Sequence, residues 1–152
     1  MYNNPIVTSQ FKVPAIKRTP RCILRPLTMR DATRDFDAVM SSAEYLREHF
    51  NPDSSWPEGL TIEQNLIDLG WHEYEFQNRT SFTYTVVDLL DETTVGCCYI
   101  YPSTLDDHEV SISHWVRDSE RATGLNEHLK QTLKTWVTEE WPFSNPLYIN
   151  FD

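Results

Sequence analysis

No stretch of this 152-residue chain approaches the run of ~20 apolar residues that spans a bilayer. Its opening, MYNNPIVTSQFKVP, has neither an apolar h-region nor a small-residue cleavage site, so no secretory signal is expected. Cysteine is scarce: there are three, and none stands in a Cys-x-x-Cys spacing, which weakens metal and redox readings. Cys97 and Cys98 are adjacent in a strand-like run, where neighbours point to opposite faces, so a bridge between them is disfavoured. That usage points to a reduced, cytoplasmic setting. Internal repeats and low-complexity tracts are also missing. What remains is a globular composition, 39% hydrophobic and 12% aromatic, of a length that predicts one domain with a substantial core.

Acidic residues are absent from the first 30 positions, which carry six basic ones: Lys12, Lys17, Arg18, Arg21, Arg25 and Arg30. In residues 31–152 the seven other basic residues face 23 acidic ones, a balance of −16. Such a body repels a nucleic-acid backbone and attracts cationic molecules such as amines. Neither a nucleic-acid nor a membrane partner is expected.

Residues 1–21 read as an N-terminal arm, broken by Pro5, Pro14 and Pro20, and 22–152 as the domain. CILRPL (22–27) predicts a strand that Pro26 ends or confines to an edge. Thr28 and Asp31 resemble a capping box, and Phe36, Val39, Met40, Ala43, Leu46 and Phe50 then mark one face of a helix. NPDSSWPEG (51–59) is a loop by composition. Thr61 and Gln64 open a second helix with Ile62, Leu66, Leu69 and Tyr74 on one stripe, and Gly70 allows a close contact or kink. Residues 81–102 predict two strands with a turn near Asp91–Thr94, and 109–116 a third. Leu125, Leu129, Leu133, Trp136 and Val137 define a last helix, stopped by Pro142 and Pro146, before a final strand at 147–151. The strands flanking that helix should be parallel.

The stretch RDSERATGLNEHL (117–129) joins the third strand to the last helix and holds one glycine, Gly124. A helix N-terminus gathers backbone N–H groups and the positive end of the helix dipole, so it suits a pyrophosphate where small residues let the backbone come close.

This element order, with ILRPL at the front, VGCCYIYP in the middle and SHWVRDSERATGLNEHL…WPF at the end, resembles the GNAT superfamily of acyl-CoA-dependent N-acyltransferases, in its RimJ/RimL-like branch. The resemblance covers roughly residues 22–152. It implies an α+β fold with a mixed, mostly antiparallel sheet flanked by helices. It also implies acetyl-CoA as cosubstrate and a small-molecule or peptide amine as acceptor. The family's loop pattern is Arg/Gln-x-x-Gly-x-Gly/Ala; Arg121 and Gly124 match it, while Asn126 replaces the final small residue. By resemblance Trp115, Val116, Arg117, Arg121, Ala122, Thr123, Gly124, Leu125 and Asn126 would contact the cofactor. GNAT domains usually continue with another helix and two strands, which are lacking here, and that helix often carries a thiolate-protonating Tyr with no positional counterpart in this chain.

In HEVSISHW, which is similar to the family's Ala-Glu-Ile-Gly-Tyr-Trp, Glu109 is the first candidate general base; its bland alternative is an exposed carboxylate at a strand start. His114 is the second candidate, on the opposite strand face. Trp56 and Glu58, between the first helices, and Tyr99, on the central strand, are candidate acceptor contacts. No metal spacing links His108, His114 and His128, so no metal is assigned. The resemblance thus implies an acetyl-CoA-dependent N-acetyltransferase. A non-catalytic GNAT-derived CoA-binding or protein-interaction module stays open beside it, as does a homodimer formed by pairing of the final strand with its twin.

Overall fold

The computed structural model of the chain describes residues 1–50 and 55–152, so positions 51–54 of the loop expected at 51–59 lie outside the described residues. The elements run β1 (Lys17–Arg18), β2 (Ile23–Pro26), α1 (Ala32–Ser41), α2 (Ala43–Phe50), α3 (Ile62–Gln77), β3 (Phe82–Val87), β4 (Thr94–Pro102), β5 (Val110–Val116), α4 (Leu125–Glu140) and β6 (Leu147–Tyr148). They build one six-stranded sheet in sequence order. Every neighbouring pair is antiparallel except β5 and β6, which are parallel and joined through α4.

Period-two alternation divides the sheet into two faces. Phe82, Tyr84, Val86, Cys98, Ile100, Val110, Ile112 and Val116 point to α4, whose Leu125, Leu129, Leu133, Trp136 and Val137 fill the other side of that core. Edge-on contacts join the rings of Tyr84, Trp136 and Trp141, with centroids 4.9 Å apart for the first pair and 5.6 Å for the second. Cys97 and Trp115 point the other way, into a smaller core with Leu27, Ala38, Val39, Leu46 and Leu69. Residues 6–14 of the N-terminal arm lie along the first face. Val7 is buried in that core, Phe11 meets Trp141 at 5.5 Å, and the Tyr84 hydroxyl donates to Pro14 O at 2.6 Å.

Three local readings are corrected. The helix expected over 36–50 is two helices broken at Ser42, whose backbone leaves the helical region at φ −118° and ψ 13°. Freed there, the Ser42 hydroxyl accepts the N–H of Asp118 at 2.9 Å and fixes the start of the β5–α4 loop. The stripe read on α3 is also wrong: Leu69 is buried, but Ile62, Leu66 and Tyr74 are exposed, as is Ile67. The inward stripe is the polar set Asn65, Asp68, His72 and Glu75 beside Leu69. Finally, β6 is two residues long and not five, followed by one further bond, Ile149 N–H to Ile112 O at 2.9 Å.

Candidate functional site

Between the inward stripe of α3 and the sheet face carrying Tyr99, Tyr101, Ser113 and Trp115 lies a cavity of about 570 Å³. Phe50, Trp56 and Trp71 extend its aromatic wall. The Trp115 indole N–H donates to the Tyr99 hydroxyl at 2.8 Å, which fixes both rings. Three carboxylates open onto this apolar space. Glu75 is occupied: its Oε2 accepts Tyr2 N–H at 2.7 Å and its Oε1 the Ser81 hydroxyl at 2.8 Å, which straps the first residues across the cavity. Asp35 is 4% exposed, and its Oδ2 accepts from Asn65 Nδ2 at 3.0 Å. Among the described residues no basic side chain pairs with Asp35 or Asp68. The neighbouring Asp31, by contrast, holds Arg25 at 2.9 Å.

Burial pushes the Asp35 carboxyl up to about 6, the Asn65 hydrogen bond opposing and the charges of Asp31 and Asp68 adding. Burial also raises Asp68 and lowers His72. A raised carboxyl costs stability once ionised. The cost is absent below the ordinary carboxyl value of 3.8 and grows as pH rises towards about 6. Asp35→Asn is therefore expected to raise stability by up to about 3 kcal/mol near neutral pH and to leave it unchanged near pH ~3, as read from urea unfolding at the two pH values.

The second part of the site lies where β5 and β6 part. They pair only at Ser111/Leu147 and Ile112/Tyr148, while β5 continues through Ser113–Val116. Alternate strand residues turn their backbone groups to the same side, so His114 presents its peptide to this gap as Ile112 does to β6. His49 stands there, its Nε2 at 3.3 Å from His114 O. Beside the gap α4 begins at Gly124, which adopts a left-handed φ of +86°. An open cavity of about 650 Å³ spreads over that helix start, lined by His49, Arg121, Asn126 and Lys130 together with Glu48 and Asp152. The Arg121 guanidinium carbon sits over the Tyr45 ring, 4.0 Å from its centroid, and Arg121 pairs with Asp118 at 3.1 Å. The His49 and Phe50 rings, 4.9 Å apart, stand between the two cavities, His49 lining one and Phe50 the other.

The candidates from the sequence fall in different places. Tyr99, Trp56 and Trp115 line the first cavity. Glu58 does not reach it; it is exposed and pairs with Arg47 at 3.1 Å. Val116 and Leu125 are core residues, and Arg117 pairs with Asp37 at 2.7 Å. Thr123 Oγ1 accepts the Leu125 N–H at 3.3 Å, and Ala122 is exposed on the loop. His114 points to the α4 side, 2% exposed, its Nε2 at 2.9 Å from Asn126 Oδ1 and its ring edge-on to Phe151 at 4.9 Å. Burial lowers it to about 4, so it is neutral at physiological pH. The same bond settles where the Asn126 side chain goes: its carbonyl is held against the strand.

Glu109 lies outside both cavities. Its carboxylate accepts the Ser144 N–H at 2.6 Å, the Asn145 N–H at 2.7 Å and the Ser144 hydroxyl at 2.9 Å. These bonds, the Ser144 N–H foremost, lower it to about 2, far too weak a base for an ammonium proton. The geometry makes it a clasp between β5 and the approach to β6. A lowered carboxylate stabilises above its ordinary value of 4.5 and loses that contribution as pH falls towards about 2. Glu109→Gln is expected to lower the melting temperature near neutral pH, with the difference from wild type closing in acid; a pair of melts at the two pH values checks it.

Sequence reasoning missed Asp35, Asn65, Asp68, His72 and His49. A signal existed: Ala32, Asp35 and Val39 share a helical face, as do Asn65, Asp68, Leu69, His72 and Glu75. Among the described residues, no group of three or more His, Cys, Asp or Glu side chains is placed to hold a metal, and no helix is long and apolar enough to cross a membrane.

No protein-family model matches the sequence, and no curated protein sequence does. Solved structures do match. A ribosomal-protein-serine acetyltransferase from Vibrio cholerae, itself assigned only provisionally, superposes with a TM-score of 0.66 at 16% identity, over 88% of this chain and 70% of its own. A GNAT-family acetyltransferase from Bordetella pertussis, of similar standing, gives 0.61 at 15%, over 85% and 75%. RimL, a ribosomal-protein alpha-N-acetyltransferase solved with coenzyme A, gives 0.62 at 13%, over 82% and 66%. The fold is that of the GNAT acyl-CoA N-acyltransferases.

Proposed function

We propose that this GNAT fold carries an acetyl-CoA-dependent N-acyltransferase acting on a primary amine. The observation that carries the reading is the parting of β5 from β6 after Ile112, directly beside the N-terminus of α4 at Gly124. One of the similar structures was solved with coenzyme A. The residues present suit an acyl-CoA: a helix start with Arg121 and Lys130 offers positive charge to phosphates, and loop residues 117–126 are assigned to it.

When bound, acetyl-CoA supplies a thioester whose carbonyl carbon takes the amine nitrogen and whose sulfur leaves. The chain's tasks are to bring an amine to the β5 edge, to accept its proton, and to offer N–H groups to the carbonyl. The His114 backbone faces the gap for the last task. Of the two bases named from the sequence, Glu109 is held too acidic and His114 points to the opposite face of the sheet. Asp35, in the first cavity and raised by burial to about 6, fits the proton-accepting role better.

Calorimetric titration with acetyl-CoA and with coenzyme A tests the reading. Saturable binding, followed by thiol release when an amine is added, is expected. Absence of both binding heat and thermal stabilisation would overturn it. A binding module without catalysis is the second reading, favoured by Arg121 lying on Tyr45 and by His49 in the gap; cofactor binding with no thiol release across an amine panel would select it.

A further inference from the structure

We infer that the cavity between α3 and the sheet is built for an organic ammonium with an aromatic or bulky aliphatic body, held by Asp35 and Asp68 and walled by Trp56, Tyr99, Tyr101 and Trp115. The inference names the acceptor class of the acyltransferase, and its catalytic meaning rests on that reading.

The argument begins with charge. A carboxylate taken out of water is costly unless a cation meets it. Asp35 is 4% exposed and receives an amide, not a cation, while its neighbour Asp31 takes Arg25. Asp68, half-buried on α3, adds a second negative group on the same cavity with no basic side chain paired to it among the described residues. The missing partner is a positive charge supplied from outside. The walls say which kind. Ring faces attract cations and bury apolar bodies, which suits an ammonium on a hydrocarbon frame better than a hydrated metal ion or a polycation. A volume of about 570 Å³ admits a compact small molecule. A carboxylate or phosphate ligand would meet like charge from three acidic side chains, Asp35, Asp68 and Glu75.

The affinity depends on pH through Asp35. The groups that face it are Asp31 in the preceding turn, Asn65 and Asp68 on α3, and Cys97 and Tyr99 on β4. His72 on α3, lowered by burial, lines the same cavity, and ammonium binding should strengthen as pH rises through the Asp35 value of about 6.

The test is titration of the full chain with 2-phenylethylammonium, followed by tryptophan fluorescence, against phenylacetate, which has a similar body and the opposite charge. Saturable ammonium binding is expected, at least tenfold tighter than phenylacetate. Asp35→Asn and Asp68→Asn should each weaken it tenfold or more, and should leave acetyl-CoA binding unchanged. Equal binding of the two probes, or no ammonium binding by folded protein, overturns the inference. Acetyl-CoA titrated on the same preparation separates the two readings. Cofactor binding without ammonium binding sinks the acceptor class alone; ammonium binding without cofactor binding sinks the acyltransferase alone.

Discussion

Gly96→Val is expected to cost more than about 4 kcal/mol and to leave little folded protein. Gly96 lies in β4 between Val86 and Val116 of its neighbours. A Cβ there would sit 2.5 Å from the carbonyl oxygen of Trp115 and 3.4 Å from Val116 Cα. Both are backbone atoms of the adjoining strand, so no side-chain rotation relieves the clash. The sheet would have to open between β4 and β5, beside the bulge where β3 and β4 slip register at Val86/Val87. Domains are stable by only about 5–15 kcal/mol, so that loss is a large part of the total. Gly70→Ala is the control. Its Cβ would meet only the Met29 side chain, at an ordinary 3.5 Å, and alanine favours the helix by roughly 0.5–1 kcal/mol. Urea unfolding of the two variants should move in opposite directions.

Gly124→Trp is expected to weaken acetyl-CoA binding at least a hundredfold while the protein stays folded. The left-handed φ of +86° at this position costs a non-glycine residue about 1–2 kcal/mol, which a folded domain tolerates. The nearest atom to an added Cβ is Arg21 Nη1 at 3.3 Å, the end of a long side chain that can swing away. An indole at the cap of α4 then covers the helix start and excludes phosphate from it. Calorimetry beside a thermal melt separates the effects: intact melting with lost binding is the expected pair. Retained affinity would place the cofactor elsewhere.

These two glycines differ in how visible they were. Gly124 stood out because a lone glycine between a strand and an amphipathic helix has a local meaning. Gly96 is packed against a strand twenty residues on, and no local pattern announces that. The same division holds throughout. Strands 82–87, 94–102 and 110–116 and helix α4 follow from apolar periods, because burial on one face writes itself into spacing. The cavity does not. Asn65, Asp68, His72 and Glu75 repeat at helical intervals, but a polar stripe ordinarily faces water, so the sequence points to the apolar stripe of α3 as its inner face. Asp35 was hidden in the same way, a carboxylate among Ala32, Ala38 and Val39. Glu109 stands where a resembling motif places a base, and only the folded chain brings Ser144 and Asn145 to its oxygens.

The attachment of β6 has a consequence for motion. Among the described residues β6 pairs with β5 at two positions and adds the Ile149 bond, beside the Glu109 clasp at its approach, whereas β4 and β5 are matched along seven positions. Local opening draws on the least secured hydrogen bonds first. The Ile149 amide should therefore trade its hydrogen for deuterium long before those of β4, and the gap beside His114 can widen without disturbing the sheet's centre. The slot proposed for an acyl-CoA is thus hinged on the element that costs least to loosen.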